Sequence, residues 1–214
     1  MTVASQRPSR TLGLLSTKSA SKSVDAPAVV TFGPKSSAPS PRWQVLSWLR
    51  ADCKASARKI DLLVVHCTAT WPSVDYTHAR LMRDHRARGF GTYPGYHLYV
   101  RRDGTLYYCR PVSVAGCHVA NYNRFSLGIC YEGGCSDSAG HRPEDNRTAE
   151  QLVVLHEVLQ LLLSEYPKAQ LVGHRDLNGG RKACPCFDVS HEYAYLLRPA
   201  GDASAQSVRP DAAH

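Results

Sequence analysis

Residues 173–189 read GHRDLNGGRKACPCFDV and bring His174, Lys182 and Cys184 into one loop-rich stretch. A neutral imidazole and a thiolate are both good zinc ligands, but two ligands do not make a site. The best third is His66, which ends the run IDLLVVH at 60–66, a sequence that reads as a buried central strand. Three protein ligands would leave a fourth position open to water, the arrangement of a catalytic rather than a structural zinc. Taken alone, His66 reads as a buried strand-end histidine, and Lys182 reads equally as a surface lysine. Cys184 has rivals in Cys186, two residues on, and in Cys67, beside His66. Asp188 has the chemistry of a metal ligand too, but its place before a helix favours an N-cap.

Ligands so far apart in sequence need a fold that gathers them. Residues 170–172 predict a short strand entering the loop, and 190–197 a helix leaving it; α/β proteins build sites where strand gives way to loop. Upstream, the spacing of Trp43 and Leu46 predicts a short helix over 43–53 that docks on the domain. Residues 68–73 read as a loop. A helix follows over 77–86, with Leu81, Met82 and His85 on one side and Gly89 as its C-cap. His85 is expected at a surface or partly packed position. Residues 96–102 and 105–110 predict a β-hairpin joined by a two-residue Asp103-Gly104 turn with positive φ angles. A further strand spans 125–131, and 137–146 is a polar surface loop. Thr148 and Gln151 form a capping box. It opens the longest helix, whose apolar stripe is Leu152, Leu155, Leu159, Leu162 and Leu163, and which Pro167 stops. The order β, α, hairpin, β, α, β, α predicts one α/β domain, a mixed central β-sheet flanked by helices on its faces.

Charge is divided unevenly. Residues 1–58 carry nine Lys/Arg against two acids, whereas 59–214 carry seventeen against sixteen. The basic excess therefore belongs to the N-terminal segment, which argues against a nucleic-acid-binding face on the folded part. Residues 1–42, rich in Ser, Ala, Pro, Lys and Arg, bury too little apolar surface to offset ordering and are expected to be a disordered basic tail. The tail's charge suggests an electrostatic contact with an anionic cell envelope. No run has the length of a transmembrane segment. The apolar patch Leu12-Gly13-Leu14-Leu15 is too short for a secretory signal, so synthesis in the cytoplasm without Sec export is expected. Eight irregularly spaced cysteines are expected to be thiols rather than a disulfide framework.

Four segments together carry a resemblance: VVHCTAT at 64–70, GYHLYVRRDGT at 95–105, SLGICYEGG at 126–134 and GHRDLNGGRKACP at 173–185. In this order they resemble the zinc N-acetylmuramoyl-L-alanine amidases, which include phage amidase-type lysozymes and are similar to animal peptidoglycan-recognition proteins. The resemblance implies zinc on His66, His174 and Cys184. It favours Cys184 over Cys186, which stands where relatives commonly carry a small residue. It implies that Tyr96, otherwise a plain strand aromatic, orients or helps deprotonate the attacking water, and that Lys182 stabilises the oxyanion. It also implies that His118 lines the groove as a substrate contact. Independently of the resemblance, Asn121 and Asn123 read as caps of the loop, hydrogen-bonding its backbone.

The implied reaction is hydrolysis of the amide between N-acetylmuramic acid and L-alanine in bacterial peptidoglycan, by a phage-type endolysin acting on the cell wall. A cytoplasmic muropeptide-recycling amidase, a non-catalytic peptidoglycan-binding module and a zinc-stabilised interaction domain stand as alternatives. The implied layout is a tail at 1–42, a short helical linker at 43–58, the zinc amidase domain at 59–198 and a disordered C-terminal tail at 199–214.

Overall fold

The apolar run ending at His66 lies at the centre of the fold in a computed structural model, which describes residues 39–138, 140 and 142–197. The expectations for the basic tail before residue 39 and for the segment after residue 197 lie outside the described residues. Helix α1 (Arg42–Ala55) precedes strand β1 (Leu62–Cys67), helix α2 (His78–Ala87) and the hairpin β2 (Leu98–Val100) and β3 (Leu106–Tyr108). Strand β4 (Ser126–Tyr131), helix α3 (Ala149–Glu165), strand β5 (Gln170–Gly173) and the short helices α4 (His174–Leu177) and α5 (Val189–Glu192) follow. The sheet order is β3-β2-β4-β1-β5. Strand β1 is parallel to β4 and β5, β2 is parallel to β4, and β3 is antiparallel to β2. The predicted mixed sheet with flanking helices is the observed one.

Side chains alternate across a strand, and here the alternation separates two jobs. Leu63 and Val65 of β1, Leu98 and Val100 of β2, and Leu127, Ile129 and Tyr131 of β4 enter one apolar core. Helices α1 and α3 cover it through Val45, Leu49 and Cys53 and through Val154, Leu155, Val158, Leu159 and Leu162. By the same period, His66 and the Ser126, Gly128 and Cys130 positions of β4 belong to the opposite face. There Leu81 of α2 packs with Tyr76, Tyr99, Cys109 and Cys130.

The capping box forms in both directions: Gln151 N–H donates to Thr148 Oγ1 at 3.2 Å and Thr148 N–H to Gln151 Oε1 at 3.0 Å. The stripe on α3 differs from expectation at its start, because Leu152 is 40 % exposed. Gln151 takes the inward position and donates to the carbonyls of Glu132 (2.8 Å) and Val100 (3.3 Å), with Val154 next on that face. The hairpin turn also differs. Arg101 N–H donates to Thr105 O, so the loop is the three residues Arg102-Asp103-Gly104, and only Gly104 has positive φ (79°) among them. A three-residue loop ending in a left-handed glycine makes the same reversal as the expected two-residue turn.

The helix expected over 43–53 is α1, and it is docked. Its buried Asp52 accepts hydrogen bonds from Val112 N–H (2.6 Å) and from the Tyr108 hydroxyl, tying the helix to the hairpin. Downstream of the loop, the expected helix resolves into α5 and a 3-10 turn at Ala194–Leu197. Asp188 caps α5 by accepting from His191 N–H at 3.0 Å, the role expected of it.

Candidate functional site

Parallel strands β1 and β5 end side by side, with Val65 in register with Gly173. His66 therefore sits beside the point where β5 passes into α4, whose first residue is His174. Cys184 is folded back onto this junction: Arg175 N–H donates to its carbonyl at 2.7 Å, and Cys67 N–H donates to its Sγ at 3.2 Å. One ligand-capable atom from each of His66, His174 and Cys184 lies within 4.8 Å of the others. His66 Nδ1 is 3.9 Å from Cys184 Sγ. An edge of a tetrahedron with metal–N of about 2.0 Å and metal–S of about 2.3 Å measures roughly 3.5 Å, so this pair is within a few tenths of an ångström of a closed site.

Protonation states suit a metal that binds deprotonated ligands. Burial, then His118, His174 and Lys182, hold the His66 imidazole well below its ordinary pKa. Burial and Lys182 lower that of His174. Hydrogen bonds from the Cys67 thiol and then its backbone N–H hold the Cys184 thiol below its ordinary value, against burial, with Lys182 acting in the same direction. Two lone pairs and an easily formed thiolate, from soft and borderline donors, are the set that zinc prefers. His66 is 1 % exposed, while His174 and Cys184 are half-buried and Lys182 is exposed. The cluster thus has a floor at the strand end and a solvent side marked by the lysine.

The other expected residues are placed as follows. The Tyr96 ring lies 5.1 Å, centroid to centroid, from that of His66. Burial and the neighbouring Cys130, Cys184 and Cys67 push its phenol well above its usual range. His118 lies 5.0 Å ring to ring from His66, edge-on, with its Nδ1 2.9 Å from His66 Nε2. Asn123 Oδ1 accepts from His118 N–H (2.9 Å) and Val119 N–H (3.0 Å), the loop-capping role expected for it. Cys186 stays outside the ligand cluster; its thiol donates to Gly134 O at 3.1 Å and lies 3.9 Å from Cys67 Sγ. No disulfide joins these cysteines.

Several contributors escape sequence reasoning. His85 is buried rather than at the surface. Its Nδ1 accepts from Gly95 N–H at 2.8 Å and its ring packs 5.2 Å from Tyr96, so α2 sets the approach of the tyrosine. Arg58 donates to the carbonyls of Asn123 (3.0 Å) and Ser126 (3.1 Å), holding the 118–126 loop against β4. Ser126 and Cys130, beneath His118 and Tyr96, share a strand face with His66. Period-two alternation along 126–130 was the signal that could have found them.

Residues 56–187 match the N-acetylmuramoyl-L-alanine amidase family. An endolysin of Enterobacteria phage K11 is 40 % identical over 125 residues, spanning 58 % of this chain and 80 % of the phage protein. Among solved structures, the endolysin amidase LysCS from Clostridium intestinale URNW superposes with a TM-score of 0.53 at 27 % identity, covering 65 % of this chain and 84 % of its own. Wild-type Drosophila PGRP-LB, at 23 % identity and a TM-score of 0.50, covers 65 % of this chain and 82 % of its own and shares the fold.

Proposed function

The chain belongs to the N-acetylmuramoyl-L-alanine amidase family, and from that premise we propose a zinc-dependent endolysin that cuts the amide between N-acetylmuramic acid and L-alanine in bacterial peptidoglycan. The observation that carries the reading is the meeting of His66, His174 and Cys184 at the ends of two adjacent parallel strands. Those three residues would hold the zinc. When bound, the ion supplies Lewis acidity toward the scissile carbonyl and lowers the pKa of water to roughly 7.

The chain's own groups supply the rest. Cys67 donates its backbone N–H to Cys184 Sγ and so favours the thiolate form that a ligand needs. Tyr96, packed on the His66 ring, orients the attacking water and takes part in moving its proton. Lys182, exposed at the solvent side, offers its ammonium to the carbonyl oxygen as negative charge develops there. At His118, the expected substrate contact competes with a role toward His66. The basic residues of the N-terminal segment are proposed to hold the enzyme near anionic envelope, an attraction reaching about 8 Å at physiological salt. Sedimentation with envelopes at low and high salt, with and without residues 1–38, tests that attraction.

The test of the main proposal is metal removal and return on purified sacculi. Chelation should abolish release of peptides with a free N-terminal L-alanine and formation of free lactyl carboxylates on the glycan, and added zinc should restore both. Preference for intact sacculi over soluble muropeptides is expected of an endolysin. Full activity in metal-free protein would remove zinc from the reading, and turnover of soluble muropeptides alone would replace endolysin with a recycling role.

A further inference from the structure

We infer that His118 is a positioning residue for His66, fixing the tautomer that carries hydrogen on Nε2 and leaves Nδ1 open toward Cys184 and His174. The inference rests on the proposed metal site and extends it to a residue outside the ligand set.

A hydrogen-bond chain reaches His66 through His118 and Ser126. The Ser126 hydroxyl donates to Tyr122 O at 2.7 Å. Its oxygen is then an acceptor for His118 Nε2, 3.3 Å away. A hydrogen on His118 Nε2 leaves its Nδ1 as a lone pair in the neutral ring, and that atom is 2.9 Å from His66 Nε2. The contact is a hydrogen bond only if His66 Nε2 is the donor. His66 Nδ1 is then the unprotonated nitrogen, and it is the one 3.9 Å from Cys184 Sγ. Each link sets the direction of the next, and the anchor is a backbone carbonyl that cannot donate.

The slot that holds His118 is built for an imidazole. A methyl group on Gly128 would come within 2.7 Å of the His118 ring, and one on Gly116 within 2.4 Å of it. Both positions therefore need the missing side chain for the ring to lie flat against β4. The backbone of 118 and 119 is pinned by the Asn123 side chain. With both ring nitrogens engaged inside the protein, His118 has its polar atoms spent on His66 and Ser126 rather than on a ligand. Histidine ligands are commonly oriented through such a partner on their second nitrogen, and losing the partner costs about 10–100-fold in metal affinity.

The experiment reads the tautomer directly, by long-range 1H–15N correlation of the imidazoles in metal-free full-length protein, and pairs it with zinc affinity by competition against a chelating indicator. Wild type should show His66 protonated at Nε2. His118→Ala should mix the two His66 tautomers and weaken zinc about 10–100-fold, with the change appearing in zinc affinity rather than in KM for a soluble muropeptide. His118→Gln, whose Oε1 can accept from His66 Nε2, should recover part of the affinity, and keeps the test available if the alanine variant folds poorly. A His66 ring protonated at Nδ1 in wild type would overturn the inference. So would a His118→Ala protein that keeps its zinc affinity and raises KM, which would make His118 a substrate contact. A wild-type protein that takes up no zinc would sink the metal site itself, while the tautomer would still decide whether His118 orients His66.

Discussion

The two faces of the central sheet are made from the same three strands and do opposite things. Toward α1 and α3, alternate residues of β1, β2 and β4 are aliphatic, except Cys67 and the aromatic Tyr131, and almost fully buried. Toward α2 and the 118–126 loop, the apolar Leu62, Val64 and Tyr99 share the face with His66, His97, Ser126, Gly128 and Cys130. The first face stabilises through area removed from water, without regard to direction. The second adds polar groups whose value lies in direction: His97 Nδ1, for example, accepts from Gly128 N–H at 3.0 Å. Rigidity on one side lets the other side keep donors and acceptors in fixed register.

That contrast breaks most visibly at the proposed ligands. Cys184→Ser should lose zinc and lower turnover on sacculi by more than about 10³-fold, while circular dichroism of the metal-free protein stays as in wild type. Retained zinc by elemental analysis would show that Cys184 does not hold the metal. Leu159→Ala, on the opposite face, should do the reverse. It should cost about 2–5 kcal/mol of unfolding free energy in urea, with turnover per folded molecule unchanged. A fall in turnover larger than the folded fraction explains would mean that the two faces are coupled. Lys182→Ala should reduce kcat by about 10²–10³ with zinc stoichiometry intact. If KM alone rises, the ammonium positions substrate instead of stabilising the oxyanion.

Acid should also distinguish the faces. Burial, together with Arg88 and Arg110 and against Asp84, lowers the His85 pKa to about 4, and its Nδ1 accepts a hydrogen bond that protonation would destroy. An unfolded histidine takes up its proton near pH 6.5. The His85 contribution is therefore complete above about pH 6.5 and is lost progressively as pH falls toward 4, up to about 3 kcal/mol. The urea midpoint of His85→Gln should fall less steeply than that of wild type across this window. Parallel slopes would show that His85 does not carry the acid sensitivity.

Much of the fold was legible because its signals are local. The run at 60–66 names its strand by composition, Thr148 and Gln151 sit at capping-box spacing, and Asp188 precedes the helix that it caps. Of the site, the histidines and cysteine were legible through motifs, and their meeting at one point required the β1–β5 pairing. What stayed hidden depends on contacts between distant segments. Leu152 has the spacing of a core residue, but Gln151 has carbonyl partners in β2 and after β4 that turn it inward. His85 reads as a surface histidine until Gly95 is brought against α2. The roles of Gly116, Gly128 and Ser126 appear only when the His118 ring is laid across them.

The pairing of β1 with distant partners also sets when the enzyme can exist during its own synthesis. Leu62 waits for Ser126 and then for Gln170 before both of its neighbours are present, and α1 waits for α3 to cover the core they share. The first helix and the first strand therefore leave the ribosome with their apolar surfaces unmatched, and the chain commits to its fold late. Cys184 comes later still, so the cluster of His66, His174 and Cys184 cannot assemble until translation has passed residue 184. A chain that stops before that point lacks one corner of the cluster, whatever portion of the sheet it has managed to build.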